Sequence, residues 1–212
     1  MTKDWVRWHD AYADPDSELS RRQNDVVAAL TAALESAPSG PIRVLSLCAG
    51  DARDLSRALH DHPRAPDVVG LVVEMDEDLA SRARANLSEF EHRLAVACAD
   101  ASDPNVWQGI LPVDLLILVG IFGNISDDDI RAVIDAVPTM CRLGSSIVWT
   151  RHRRPPDMTP VIAAWFAEAG CESQSFSSPG PNRYAVGAER YTRPRVPRVL
   201  PQLPIRFVDT SA

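Results

Sequence analysis

Val44-Leu45-Ser46-Leu47-Cys48-Ala49-Gly50-Asp51-Ala52-Arg53-Asp54 decides the fold, because an apolar run breaks into small residues and then resumes at helical spacing. It reads as strand, tight loop, helix. Short side chains at Cys48, Ala49 and Gly50 let a ligand approach the backbone. The helix that follows offers unpaired N–H groups to polar or anionic atoms.

Outward from this junction the chain alternates strand and helix. Strands are expected at Ile42–Leu47, 68–73, 94–99, 114–119 and 147–150, with helices at 53–60, 78–90, after Ser126, and from Thr159 to a stop at Gly170. The run from Asp114 to Val119 is near-continuously apolar, as suits a central strand buried on both faces. Ser126 with Asp127, Asp128 and Asp129 reads as a helix cap with acids at its positive end, or less simply as a metal site; no metal is expected. Two last strands, near 172–176 and 183–189, are joined by Ser177-Ser178-Pro179-Gly180-Pro181, too short a link for anything but an antiparallel hairpin. Prolines at 194, 197, 201 and 204 then prevent regular structure, leaving an extended tail that Ile205 and Phe207 can anchor. This pattern predicts an α/β fold: a doubly wound, mostly parallel sheet whose ligand crevice lies beyond the carboxyl ends of its strands.

Ahead of the first strand, Trp5, Trp8, His9 and Tyr12 fall on one helical stripe, either a helix packed on the core or a lid over a pocket. Asp14 to Ser17 supply cap residues for a second helix with Leu19, Val26, Val27, Leu30 and Leu34 on its apolar face. The expected organisation is a helical lid or cap at 1–40, a core at 41–192 and a proline-rich tail at 193–212.

The chain has 212 residues, 45% of them hydrophobic, enough for one sizeable core. A net charge of −7 argues against nucleic acid as a partner. Cys48, Cys98, Cys141 and Cys171 are widely spaced, which fits thiols in a reducing cytoplasm. No apolar run approaches a membrane span.

Function should be carried by the loops after the strands. Glu74, which ends the second strand, lies 24 residues after Gly50, where a carboxylate can accept both hydroxyls of a ribose or simply cap the next helix. Asp100, after the third strand, can receive the exocyclic amine of an adenine while Ala101 donates its backbone N–H; the alternative is a turn cap before Pro104.

These residues resemble the class I S-adenosylmethionine-dependent methyltransferases across about residues 42–190. The opening stretch is similar to the family's first motif. Val-Val-Glu-Met-Asp-Glu-Asp-Leu-Ala-Ser-Arg-Ala-Arg-Ala-Asn is similar to its second, and Ala-Asp-Ala after the third strand to its adenine-contacting segment. The resemblance implies a seven-stranded Rossmann-like sheet with a reversed C-terminal hairpin. It implies S-adenosyl-L-methionine as cofactor, with Cys48, Ala49 and Gly50 toward the methionine part and Gly120 and Tyr12 among the other cofactor contacts. Glu74 would then be on the ribose, Met75 beside the adenine, and Asp100 and Ala101 on the adenine edge. The first motif departs from the family pattern: Ser46 holds the acid position, and Cys48, Gly50 and Ala52 hold the three glycine positions. Asp51, or an acid from the N-terminal segment, is therefore the candidate for the methionine amino group. Trp8-His9-x-x-Tyr12-x-Asp14-Pro15-x-Ser17 and Gly120-Ile121-Phe122-Gly123-Asn124-Ile125 resemble segments of actinobacterial small-molecule members. That likeness implies a lid bearing Trp8 and Tyr12 over cofactor and acceptor.

Methyl transfer is an in-line displacement that rests on positioning and exclusion of water. If a general base is used, His152 in Thr150-Arg151-His152-Arg153-Arg154 is the first candidate and His9 the second; the bland reading of that loop is a solvated basic stretch. The three arginines around it, Arg151, Arg153 and Arg154, would suit an acceptor carrying a carboxylate or phosphate, with Arg151 and Arg153 the first candidates. Asn124 can orient the acceptor with Phe122 packed on it, or serve its own turn. Two other functions compete: an adenosylmethionine-binding regulatory or scaffold domain, and a nicotinamide-dependent oxidoreductase, which lacks support from any GxGxxG.

Overall fold

A computed structural model describes residues 14, 17–199 and 202–207. Its centre is a seven-stranded sheet of β1 (Ile42–Leu47), β2 (Val68–Glu74), β3 (Leu94–Cys98), β4 (Val113–Leu118), β5 (Cys141–His152), β6 (Cys171–Ser177) and β7 (Tyr184–Tyr191), in the order β3-β2-β1-β4-β5-β7-β6. β1 to β5 run parallel, and β7 enters antiparallel between β5 and β6. The expected doubly wound sheet with its reversed hairpin is therefore present. A dinucleotide-binding sheet ordered 3-2-1-4-5-6 has no such inserted strand.

Helices α1 (Glu18–Ser36), α2 (Arg53–Leu59), α3 (Glu77–Asn86), α4 (Pro104–Trp107), α5 (Asp127–Met140) and α6 (Thr159–Glu168) cover the two faces. On one face Val26, Leu30 and Leu34 of α1 meet Leu55 and Leu59 of α2 above Val44 and Val72. On the other, Val133, Ile134 and Val137 of α5 and Ile162 and Phe166 of α6 meet Leu116, Leu118 and Trp149. With cover on both sides, all six residues of β4 are buried, five of them apolar; the sixth, Asp114 near its start, accepts from the Arg43 N–H (2.8 Å) and pairs with Arg142. Residues 18–36, placed by the sequence in a lid or cap segment, are a core-covering helix whose first turn reaches the crevice.

Local chemistry sets the element ends. Ser17 caps α1 by accepting from the Ser20 N–H, Asp76 caps α3 through Leu79, and Ser126 caps α5 through Asp129. The acidic triplet thus occupies the first turn of α5, and no metal-holding cluster occurs among the described residues. β5 starts six residues earlier than expected, at Cys141 instead of 147, because its first half is bulged. Gly144 at φ +88° and polar neighbours in Arg142 to Ser146 give that half a loop-like sequence. β6 carries a second irregularity, a register shift between Ser173 and Ser175. Gly187 of β7 is required by packing: a Cβ there would lie 2.2 Å from the Trp149 ring.

The tail is extended, and Phe207 is 40% exposed. Leu203 is buried, with Ile205 packed beside it. The Leu203 N–H donates to the Ser102 carbonyl (2.8 Å) and Gln202 Nε2 to Ser102 Oγ (2.9 Å). Upstream, Arg195 Nε and Arg198 Nη2 donate to the Thr139 and Asp135 carbonyls, supplying the C-terminal end of α5 with the cations its own last turn lacks.

Candidate functional site

The loop between β1 and α2 keeps a glycine-like backbone without glycine's composition. Cys48, Gly50 and Ala52 have φ of 49°, 58° and 53°, so all three residues in the glycine positions are left-handed although two carry a Cβ. Each non-glycine residue held there costs on the order of 1 kcal/mol or more. The loop is held in place by its neighbours. The Ala49 N–H donates to the Val73 carbonyl (3.0 Å), and the Gly50 N–H donates to Glu74 Oε2 (2.7 Å).

Glu74 ends β2 and binds the loops on both sides, since its Oε1 accepts from the Asp76 N–H (2.9 Å). Burial raises its pKa and the backbone N–H donors oppose that rise. Asp100 is exposed, with Oδ1 accepting from the Ser102 N–H (2.8 Å). Ala101 is buried and its carbonyl accepts from Trp107 Nε1 (2.9 Å). Burial, then the charges of Glu74 and Asp100, push the Cys48 thiol up, so both carboxylates act on one point of the crevice. Met75, beside Glu74, is 70% exposed. An exposed thioether next to Glu74, a second carboxylate at Asp100 and a tight small-residue loop fit the chemistry of a nucleoside, with an apolar surface for the face of its base and acceptors for its hydroxyls and amine.

Asp51 faces elsewhere. Its buried carboxylate is engaged by the Arg53 guanidinium, and with Gln23, Arg57, Arg82 and Asn86 it lines a groove of about 430 Å³ among α1, α2 and α3.

A second crevice, of about 190 Å³, lies where the first turn of α1, the β4–α5 loop and the end of β5 meet. Gly120, Gly123, Asn124, Thr150, Arg151, His152 and Arg154 line it, joined by Glu18, Leu19, Arg22 and Tyr184. Gly120, at φ +79°, donates its N–H to Thr150 Oγ1 (2.8 Å). Asn124 Nδ2 donates to the Gly120 carbonyl (2.6 Å), so Asn124 serves its turn while bordering the crevice. His152 makes no side-chain hydrogen bond among the described residues, and its Nδ1 is buried without a partner. Burial, then Arg151 and Arg154, lower its pKa, leaving a neutral imidazole at pH 7.

Two predicted acceptor contacts are corrected. Phe122 is 0% exposed and packs against Trp149 and Phe166, with centroids 6.1 and 6.3 Å away; its ring belongs to the core. Arg153 turns away from the crevice, donating to Asp157 Oδ2 (2.9 Å) and Ser178 Oγ (3.2 Å), because alternation along an extended chain puts Arg154 on the His152 side. Arg151 lines the crevice, but its guanidinium is committed to the Phe122 carbonyl and Asp127. Trp8, His9 and Tyr12 lie outside the described residues. Arg154, one of the three arginines expected around His152, lines the crevice, whereas Thr150, Arg22 and Tyr184 were not singled out by sequence. Tyr184 arrives opposite His152 only through the β5–β7 register.

The sheet order, the reversed β7 and a crevice at the carboxyl ends of the strands define the Rossmann-like methyltransferase fold. Solved structures share it. A magnesium protoporphyrin IX methyltransferase (ChlM) from Synechocystis PCC 6803, solved with bound SAM, superposes with a TM-score of 0.65 at 11% identity, over 90% of this chain and 92% of that one. An O-methyltransferase family protein from Burkholderia thailandensis gives 0.63 at 16% identity, over 81% of this chain; the match spans only 57% of that protein's length. The [4+2]-cyclase SpnF gives 0.55 at 14% identity, over 78% of this chain and 80% of that one, so the fold by itself does not fix the reaction. No protein-family model and no curated protein matches the chain. No helix among the described residues is long and apolar enough to cross a membrane.

Proposed function

We propose that the chain is an S-adenosyl-L-methionine-dependent methyltransferase acting on a small molecule, at O, N or C. The observation that supports it is the convergence of Glu74 and Asp100, from the ends of adjacent parallel strands, on the left-handed loop at Cys48 to Ala52. Glu74 would accept the ribose hydroxyls, Asp100 the adenine amine, and Met75 would be covered by the base. Cys48, Ala49, Gly50 and Gly120 would border the methionine part. When bound, the cofactor supplies a methyl group on a sulfonium, which needs only an aligned nucleophile in a dry site. His152, neutral and without a partner, can take a proton from the nucleophile, with Asn124 beside it.

The test is calorimetric titration with S-adenosylmethionine and S-adenosylhomocysteine. Wild-type protein should bind both. Glu74→Ala removes charge-assisted hydrogen bonds worth about 1.5–3 kcal/mol, a weakening of roughly tenfold to a hundredfold. No binding by the wild type, or equal affinity in the variant, overturns the reading.

A further inference from the structure

The crevice around His152 carries a charge pattern opposite to that of the molecule. The chain has a net charge of −7, yet Arg22, Arg151 and Arg154 line this one small space with His152. Glu18, the acid on its rim, is drawn outward to Arg183 Nη1 at 3.0 Å. Tyr184 donates its hydroxyl to Asp25 (2.9 Å), so it adds no charge.

The cations are not equivalent. Arg151 is committed to the Phe122 carbonyl and Asp127, which fixes it as wall. Arg154 is exposed and makes no hydrogen bond or ion pair among the described residues. An arginine unpaired at the mouth of a crevice, on the same side of the chain as a partnerless imidazole, is a fork of donors without an acceptor. Buried polar atoms are nearly always satisfied, and two adjacent residues here, Arg151 at Nε and His152 at Nδ1, each retain one that is not. At about 190 Å³ the space is below the roughly 300–1,000 Å³ of pockets for drug-sized ligands, so it fits a small group and not a whole large substrate.

We propose that this crevice seats an anionic group of the acceptor, a carboxylate or a phosphate, against Arg154 with His152 at its edge. The word acceptor rests on the methyltransferase reading; the anion site itself does not. Arg154 supplies the paired N–H donors that an oxyanion accepts. The anion is held beside His152, where it adds to Asp127 and Asp157 against burial, Arg151 and Arg154, favours the protonated ring and so makes the imidazole a stronger base than it is without the anion.

The experiment is a titration of the protein without cofactor, using sodium phosphate, sodium propionate and neutral propionamide at constant ionic strength. The readout is the His152 ring resonance in histidine-labelled protein, assigned with His152→Gln. A saturable shift with phosphate or propionate, an upward move of the His152 titration midpoint, and at least tenfold weakening in Arg154→Gln support the proposal. The tighter of the two anions identifies the group as phosphate or carboxylate. No saturable shift with either anion, an equal shift with propionamide, or an unchanged response in Arg154→Gln overturns it. Calorimetry with S-adenosylhomocysteine separates the two readings, because failure of the wild type to bind it overturns the methyltransferase reading and leaves the anion result standing.

Discussion

Glu189 should make this protein less stable as pH rises, and a single substitution should remove that dependence. It is 3% exposed on β7, with Oε1 accepting from Trp149 Nε1 at 3.2 Å and no cation paired with it among the described residues. Burial therefore pushes its pKa up from 4.5 to about 7, the indole donor opposing only part of the rise. Below pH 4.5 both folded and unfolded chains hold the proton, and well above pH 7 neither does. Between those values only the folded chain holds it, so stability falls as pH rises through that window. A span of about 2.5 pH units at about 1.36 kcal/mol each amounts to roughly 3 kcal/mol. Glu189→Gln keeps the acceptor for the indole N–H and cannot ionise. Urea unfolding of both proteins between pH 4 and pH 8 provides the assay. The stability of the variant relative to wild type should grow by roughly 3 kcal/mol across the range, corresponding to about 6–12 °C in Tm for a chain of this size. Taking the difference cancels the other titrating groups. Parallel profiles within about 0.5 kcal/mol would refute the reasoning.

Three further outcomes can be measured on the same preparations. Gly50→Ala places a third Cβ in the left-handed loop and should cost about 1–2 kcal/mol of stability by urea unfolding; an unchanged midpoint contradicts the loop conformation. Phe122→Ala should cost about 3–5 kcal/mol by emptying the contact with Trp149 and Phe166, and a normal Tm with altered acceptor preference would return the ring to the crevice. Leu203→Ala should lower stability by about 2 kcal/mol or more and weaken S-adenosylhomocysteine binding, because the tail holds the Ser102 turn that orients Asp100; full affinity would show that the tail only covers the core.

The sheet was legible because its strands are apolar runs bounded by turn residues, and β1 was placed residue for residue. The first half of β5 was not, since a bulge leaves positions unpaired and tolerates the polar, glycine-containing run from Arg142 to Ser146. On the side proposed for the cofactor, Glu74 and Asp100 could be named because strand ends define that crevice. What sequence could not give is side-chain direction. Phe122 and Arg153 carry suitable chemistry but face the core and Asp157, while Arg154, one residue on, faces the crevice. Nor could composition show that Cys48 and Ala52 adopt a glycine's backbone, which the surrounding hydrogen bonds impose.

The inserted β7 leaves β6 as the outermost strand of its side of the sheet. An outer strand is a template that another chain's strand can extend, the route by which folded domains zip into aggregates. Here six of its seven residues are exposed, four of them are Glu172, Ser173, Gln174 and Ser175, and the shift between Ser173 and Ser175 breaks the even spacing that a docking strand would need. The reversal that shapes the crevice end of β5 is thus accompanied by an edge poorly suited to self-association.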